Sequence, residues 1–389
     1  MPRIRILIVD DSVVIRKVLT EALTSDPDIE IAGVAADGSI ALNKIPLVNP
    51  DLITLDVEMP GMSGLETLIA IRKTYAKLPV IMFSTLTERG AATTLEALSL
   101  GASDCVTKPS NTGSVEATRA RIRAELIPKV KALCRKQRGL PLPSIPRPEW
   151  KRPLPVRTVG LSDRVDILAI GSSTGGPNAL AVLLPALAEQ FPVPIVVVQH
   201  MPPLFTRLLA DRLNKQSAIA VHEGAEGDVL KPGHVWIAPG DFHMKLAMEG
   251  KTARLIMNQS PPQNSCRPSV DVLFESVAEL YGAHTLALVL TGMGSDGVRG
   301  SQLIREAGGH VIVQDEATSV VWGMPGQVAA AGLANAIFPL DQIAGELERR
   351  TGRLAFLSSN KHPDTAEKQI AAKPSSWLAS NAPQNGKQH

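Results

Sequence analysis

Short aliphatic runs, each followed by a longer stretch with helical spacing, recur from residue 4 to about residue 350, and this alternation points to parallel α/β sheets. In the first third the runs fall at 4–9, 29–34, 52–55, 80–83 and 104–106. The intervening stretches carry apolar residues at helical intervals, such as Val14, Val18, Leu19, Ala22 and Leu23. Five strands alternating with helices predict a parallel sheet covered on both faces. Pro46 lies inside the apolar stretch 40–48, where a helix interior would lose about 3 kcal/mol. That helix is expected to end early or kink there.

A second α/β region runs from 163 to about 350, with its clearest strands at 165–170, 194–199, 285–290 and 310–313. A helical pattern at 178–189 follows the first of these. Residues 219–258 read as short strands and turns, so some antiparallel pairing is expected in an otherwise doubly wound, mostly parallel domain. The resulting organisation is a five-stranded parallel (βα)5 domain over 1–125, a linker over 126–162, a second domain over 163–352 and a disordered tail over 353–389. The linker reading rests on seven prolines and little apolar periodicity. The tail is rich in Ser, Asn, Gln, Lys and Pro.

The net charge of +2 hides an imbalance. Residues 129–157 hold nine Lys or Arg and one Glu; the rest of the chain has 31 basic and 37 acidic residues. The basic character is therefore assigned to the linker, which argues against a nucleic-acid-binding face. Only 3% of residues are aromatic, too few for rows of base-stacking rings. Cys105, Cys134 and Cys266 are scattered and odd in number, so no disulfide framework or CxxC metal site is indicated. No signal peptide and no apolar run of about 20 residues is seen, and a monomeric cytoplasmic protein without membrane insertion is expected.

Chemistry-bearing residues gather at the C-terminal ends of the predicted strands, the edge where open α/β sheets bind ligands. In the first domain these are Asp10 and Asp11, Asp56 in Leu55-Asp56-Val57-Glu58-Met59-Pro60-Gly61, Ser84, and Lys108 before Pro109. Any single Asp at a strand end is ordinarily a capping residue. Together, clustered carboxylates suit a hard divalent cation such as Mg²⁺, and a lysine and a hydroxyl can stabilise a phosphoryl group. The set resembles the response-regulator receiver family. That resemblance implies Asp56 as phosphoacceptor, Asp10 and Asp11 with Asp56 as metal ligands, Glu58 as a candidate carbonyl ligand, Ser84 as switch hydroxyl and Lys108 as phosphate contact.

In the second domain Gly171-Ser172-Ser173-Thr174-Gly175-Gly176 follows a strand and precedes a helix. It contains G-x-S-x-G centred on Ser173, a turn that can expose a nucleophile or, equally, cradle a nucleotide phosphate. His200 ends the next strand, and Asp296 lies in Thr291-Gly292-Met293-Gly294-Ser295-Asp296-Gly297 after a later one. Alone, the histidine suits a structural donor and the aspartate a capped turn. Together the three meet the nucleophile, base and orienting-acid requirement. Their order, Ser, His, Asp, is not that of α/β-hydrolases. With Gln-His-Met-Pro-Pro (199–203), Ile-Ala-Pro-Gly-Asp (237–241), Arg-Pro-Ser-Val-Asp-Val-Leu-Phe (267–274) and Trp-Gly-Met-Pro (322–325), they resemble the chemotaxis protein-glutamate methylesterase family.

This resemblance implies a serine hydrolase that removes methyl esters from glutamyl side chains on the cytoplasmic helices of a chemoreceptor, with glutaminyl deamidation as a second activity. It further implies sensory adaptation as the role and a chemotaxis histidine kinase as phosphodonor, with no cofactor for ester hydrolysis. Backbone amides of Thr174 and Met293 are the candidate oxyanion donors. The family pattern also implies that the unphosphorylated receiver covers the esterase cleft.

Overall fold

A computed structural model describes residues 2–108, 114–137 and 164–352. The first sheet takes β1 (Ile4–Val9), β2 (Ile29–Ala35), β3 (Leu52–Asp56), β4 (Val80–Ser84) and β5 (Asp104–Thr107) in the order β2-β1-β3-β4-β5, all parallel. Between them run α1 (Val13–Leu23), α2 (Gly38–Val48), α3 (Gly64–Thr74) and α4 (Glu88–Ser99), with α5 (Val115–Gln137) after β5. The strand direction of growth reverses between β1 and β3, which opens a crevice at their C-terminal ends.

Local chemistry sets the helix starts. The Ser12, Asp37 and Thr87 side chains accept backbone N–H groups at the starts of α1, α2 and α4, and Ser63 with Glu66 forms a capping box on α3. Val18, Leu19, Ala22 and Leu23 bury one face of α1, while Val14 is 69% exposed. Contrary to expectation, α2 does not stop at Pro46 but continues to Val48. The proline sits in the last turn, and Asn49, left-handed at φ 42°, closes the helix by donating to Ile45 O.

The helix α5 corrects the linker's start, because residues 126–137 belong to it. Ile122, Leu126, Val130, Leu133 and Cys134 are buried along it at helical spacing. Its lysines are anchored: Lys131 Nζ lies 2.7 Å from Asp26 and 2.9 Å from Asp28. Part of the basic charge assigned to a linker is thus on a folded helix. The remainder of the expected linker and the expected tail lie outside the described residues.

The second sheet has seven parallel strands. In chain order they are β6 (Ile167–Ser172), β7 (Ile195–Gln199), β8 (Ala220–Glu223), β9 (His234–Ile237), and, after a hairpin, β12 (Thr285–Val289), β13 (His310–Gln314) and β14 (Ala336–Phe338). The hairpin is β10 (His243–Glu249) and β11 (Thr252–Asn258), the expected antiparallel element. The helices are α6 (Gly176–Leu183), α7 (Phe205–Gln216), α8 (Val270–Tyr281), α9 (Val298–Glu306), α10 (Met324–Ala330) and α11 (Leu340–Arg350). The helix expected over 178–189 is shorter, because Pro185 falls in a 3₁₀ turn at Leu184–Ala186.

The order β14-β13-β12-β6-β7-β9-β8 places β6 where the winding reverses, with β12 on one side and β7 on the other. Residues on β6, β7 and β12 are buried on both faces, as doubly covered parallel strands require. The two halves also share a core. Ala91, Leu95 and Leu98 from α4 belong to the same buried cluster as Leu180, Leu184 and Leu209.

Candidate active site and phosphoryl site

The strand register decides which serine faces the crevice. Ser172 pairs with Gln199 across β6 and β7, so Ser173 and His200 follow side by side just beyond the sheet. Ser172 Oγ is fully buried and donates to Gln199 Oε1 at 2.8 Å. The Gln199 amide turns back to Ser173 O at 3.0 Å and His200 O at 3.3 Å, tying the two strand ends together. Ser173 is the partly exposed member of the pair. Gly175, with φ 80°, makes the turn into α6 that a side chain would resist.

Asp296 comes from the loop after β12 and is 2% exposed. Its Oδ2 lies 2.8 Å from His200 Nε2 and accepts Val270 N–H at 2.6 Å. Its Oδ1 accepts from Ser269 Oγ at 2.8 Å, Asn264 Nδ2 at 2.9 Å and Asp271 N at 3.2 Å. The carboxylate therefore caps the N-terminus of α8, where backbone N–H groups and the helix dipole favour negative charge. Asp271 on α8 returns the favour to α9, accepting Gly297 N at 2.9 Å and Gly300 N at 2.7 Å. The two helices are locked by reciprocal carboxylate caps.

These contacts set the charge states. Burial alone would raise the Asp296 carboxyl, but the hydrogen bonds and charge of His200, with those of Asn264 and Val270, hold it below the ordinary carboxylate range. Burial alone would lower His200; its hydrogen bonds to Asp296 and Cys266 outweigh that and raise it. Asp271 is pushed up to about 6 by burial and by the neighbouring Asp296 charge.

Among the described residues Ser173 Oγ makes no hydrogen bond, and His200 Nδ1 faces Cys266 Sγ at 3.6 Å. The backbone N–H groups of Thr174 and Met293 are likewise unbonded among the described residues. Gly292 lets the β12 loop approach: a Cβ there would stand 2.9 Å from Ser173 Cβ and 2.4 Å from Met324 Sδ. Sequence reasoning missed Gln199, Asn264, Cys266 and Ser269. The runs containing Gln199 and Ser269 were visible, but nothing in them signals a contact to His200 or Asp296.

In the first domain Asp10 and Asp56 are buried, and Lys108 Nζ reaches both, at 3.0 and 2.7 Å. Burial pushes Asp56 up to about 6 despite Lys108. Lys108 is itself raised, because Asp56 and Asp10 outweigh its own burial. Asp11 is exposed at the rim, and one carboxylate oxygen from each of Asp10, Asp11 and Asp56 lies within 4.8 Å of the others. An all-oxygen set of this kind fits a hard cation such as Mg²⁺. Ser84 is buried, and its Oγ donates to Thr85 O at 3.2 Å rather than to the carboxylates.

The two halves meet at one interface. Thr174 Oγ1 donates to Asp104 Oδ2 at 2.6 Å, and Lys129 Nζ on α5 holds the same oxygen at 3.0 Å. Asn178 Nδ2 donates to Leu98 O at 2.7 Å, Arg212 Nη1 to Leu95 O at 2.5 Å, and Arg207 pairs with Glu88 at 2.7 Å. Met293, Val320 and Val321 join the apolar cluster that contains Ile127 and Val130 of α5. The first domain thus packs directly on the turn that carries Ser173.

Both halves match known families. Residues 6–118 match the response regulator receiver domain model and residues 168–347 the CheB methylesterase model. A protein-glutamate methylesterase/protein-glutamine glutaminase from Trichodesmium erythraeum is 54% identical over 90% of this chain and 100% of its own length. One of the same name from Nocardioides is 51% identical over 91% of this chain and 97% of its own. The crystal structure of the Thermotoga maritima CheB methylesterase catalytic domain is 45% identical, covers 47% of this chain and 97% of that one, and has a TM-score of 0.47. With full-length relatives at this identity, the chain belongs to the CheB family of protein-glutamate methylesterases, with a response regulator receiver domain at its N-terminus.

Proposed function

We propose that this chain hydrolyses γ-glutamyl methyl esters on the cytoplasmic helices of a chemoreceptor, and deamidates glutamine there, under control of phosphorylation at Asp56. Ser173 is the nucleophile. The observation that carries the reading is the alignment of Ser173 with His200 beyond the Ser172–Gln199 register pair, with His200 Nε2 held 2.8 Å from Asp296. With Nε2–H given to Asp296, Nδ1 is the nitrogen left to accept the Ser173 proton. That hydrogen bond forms when the cleft opens and substrate settles, as catalytic contacts often tighten only in the complex.

Ser173 Oγ attacks the ester carbonyl, and the Thr174 and Met293 amides receive the developing oxyanion. His200 returns the proton to the leaving methoxide, and methanol departs. Water, deprotonated by the same imidazole, then cleaves the acyl-enzyme to give glutamate. A glutamine side chain follows the same course with ammonia leaving. Asp296 stabilises the imidazolium at each stage. Ser173→Ala should abolish methanol release while phosphoryl labelling of Asp56 persists; retained esterase turnover would remove Ser173 from the mechanism.

In the receiver, Asp10, Asp11 and Asp56 would hold Mg²⁺, with the Glu58 carbonyl as a further ligand. The chemistry such an ion supplies is charge neutralisation at the phosphoryl oxygens. Asp56 accepts the phosphoryl group from a chemotaxis histidine kinase, Lys108 shifts to its oxygens, and Ser84 turns towards it. These changes weaken the packing of the receiver on the Ser173 turn, since phosphorylation must favour the open arrangement to activate. Among the described residues no helix is long and apolar enough to cross a membrane.

A further inference from the structure

Cys266 carries no chemical step of the hydrolysis described above, yet its Sγ lies 3.6 Å from His200 Nδ1. Two donors bound to one tetrahedral zinc, at about 2.3 Å for sulfur and about 2.0–2.1 Å for nitrogen, stand roughly 3.5–3.6 Å apart. The pair is therefore spaced as a ready bite for such an ion. The second nitrogen of the same ring, Nε2, faces Asp296 at 2.8 Å. A carboxylate behind a ligating histidine fixes its tautomer and strengthens it as a donor. Asn264 and Ser269 in turn fix that carboxylate. A donor, its orienting carboxylate and the groups holding that carboxylate are all in place before any ion arrives.

We propose that Cys266 and His200, backed by Asp296, form a binding site for a thiophilic divalent cation of the zinc class, and that its occupation switches the esterase off. Binding releases to solvent the Cys266 thiol proton and any proton carried by His200 Nδ1. The thiolate and the Nδ1 lone pair each form one bond to the ion, and water fills the remaining positions. No electron transfer is involved. Nδ1 is the nitrogen assigned above to take the Ser173 proton, so an ion there removes the base. Magnesium prefers oxygen donors and would stay at the receiver carboxylates. The inhibitory half of this inference rests on the Ser173–His200 mechanism; the binding half does not.

The test uses the full chain in excess Mg²⁺, titrated with Zn²⁺ for methanol release and with Co²⁺ for thiolate-to-metal charge-transfer absorption. Cys105 and Cys134 are 9% and 0% exposed, so a thiolate band reports Cys266. Wild type should show the band and lose activity to Zn²⁺. Cys266→Ser and Cys266→Ala should lose the band and, each measured against its own zinc-free rate, need roughly tenfold or more Zn²⁺ for half-inhibition. Ser173→Ala should keep the band, and would do so even if the esterase mechanism were wrong. Absence of the band in wild type, or equal Zn²⁺ inhibition of the Cys266 variants, overturns the proposal.

Discussion

Asp56 and Asp296 are both buried aspartates near a cation, and their surroundings drive them in opposite directions. Asp296 accepts five hydrogen bonds and stays ionised. Asp56 is raised to about 6, chiefly by burial, even with Lys108 beside it. Its folded value lies above the ordinary 3.8, so its charge opposes folding fully above pH 6 and not at all below about pH 4. Asp56→Asn should therefore raise the receiver's melting temperature at pH 7 in the absence of Mg²⁺, by about 1–2 kcal/mol in stability. The gain should fade as pH drops through 6 to 4; thermal denaturation across that range checks it. Asp296→Asn should lower kcat by about 10²–10⁴ with little change in KM, because it disturbs the imidazole and not the substrate pocket. The residues that announced themselves in the sequence, Ser173, His200, Asp296 and Asp56, each end a strand or sit in the turn beyond one. Cys266 and Asn264 did not, because they meet His200 and Asp296 through an irregular loop. Its path depends on positive φ at Asn264 and Ser265, which no glycine marks.

At the scale of elements, nine of the fourteen strands among the described residues were legible to within a residue or two because doubly buried parallel strands are continuous aliphatic runs, whereas β14 and the bounds of β8 to β11 were not. The winding that brings β6 between β12 and β7 was not, since it depends on pairings between strands distant in the chain. The helix α5 was misread as linker beyond residue 125 for a physical reason. Its lysines and Pro128 mask an apolar stripe that becomes meaningful only against the sheet and α1. That helix and α4 form the surface that meets the esterase half. Arg212 and Asn178 each donate one hydrogen bond to an α4 carbonyl. Bonds of this kind contribute about 1–2 kcal/mol, so Arg212→Ala and Asn178→Ala should raise unphosphorylated esterase activity up to roughly tenfold. The activity reached with saturating phosphodonor should be unchanged. Steady-state methanol release in both conditions separates this from a general effect on catalysis, which would move both values together.

For the whole molecule, the receiver and esterase each have their own sheet, and the receiver leans on the Ser173 turn through the Asp104–Thr174 hydrogen bond and the cluster around Val321. A chain beginning near residue 164 should consequently exceed the unphosphorylated full chain in turnover; equal rates would argue against inhibition by contact. The central claim joins a phosphorylation at Asp56 to an acyl transfer at Ser173, and methanol release from methylated receptor membranes, with and without a small-molecule phosphodonor, tests it most directly. The phosphodonor should accelerate release by the wild-type chain, leave Asp56→Asn at its basal rate, and elicit nothing from Ser173→Ala. Release by Ser173→Ala, or a wild-type rate indifferent to the phosphodonor, would contradict it.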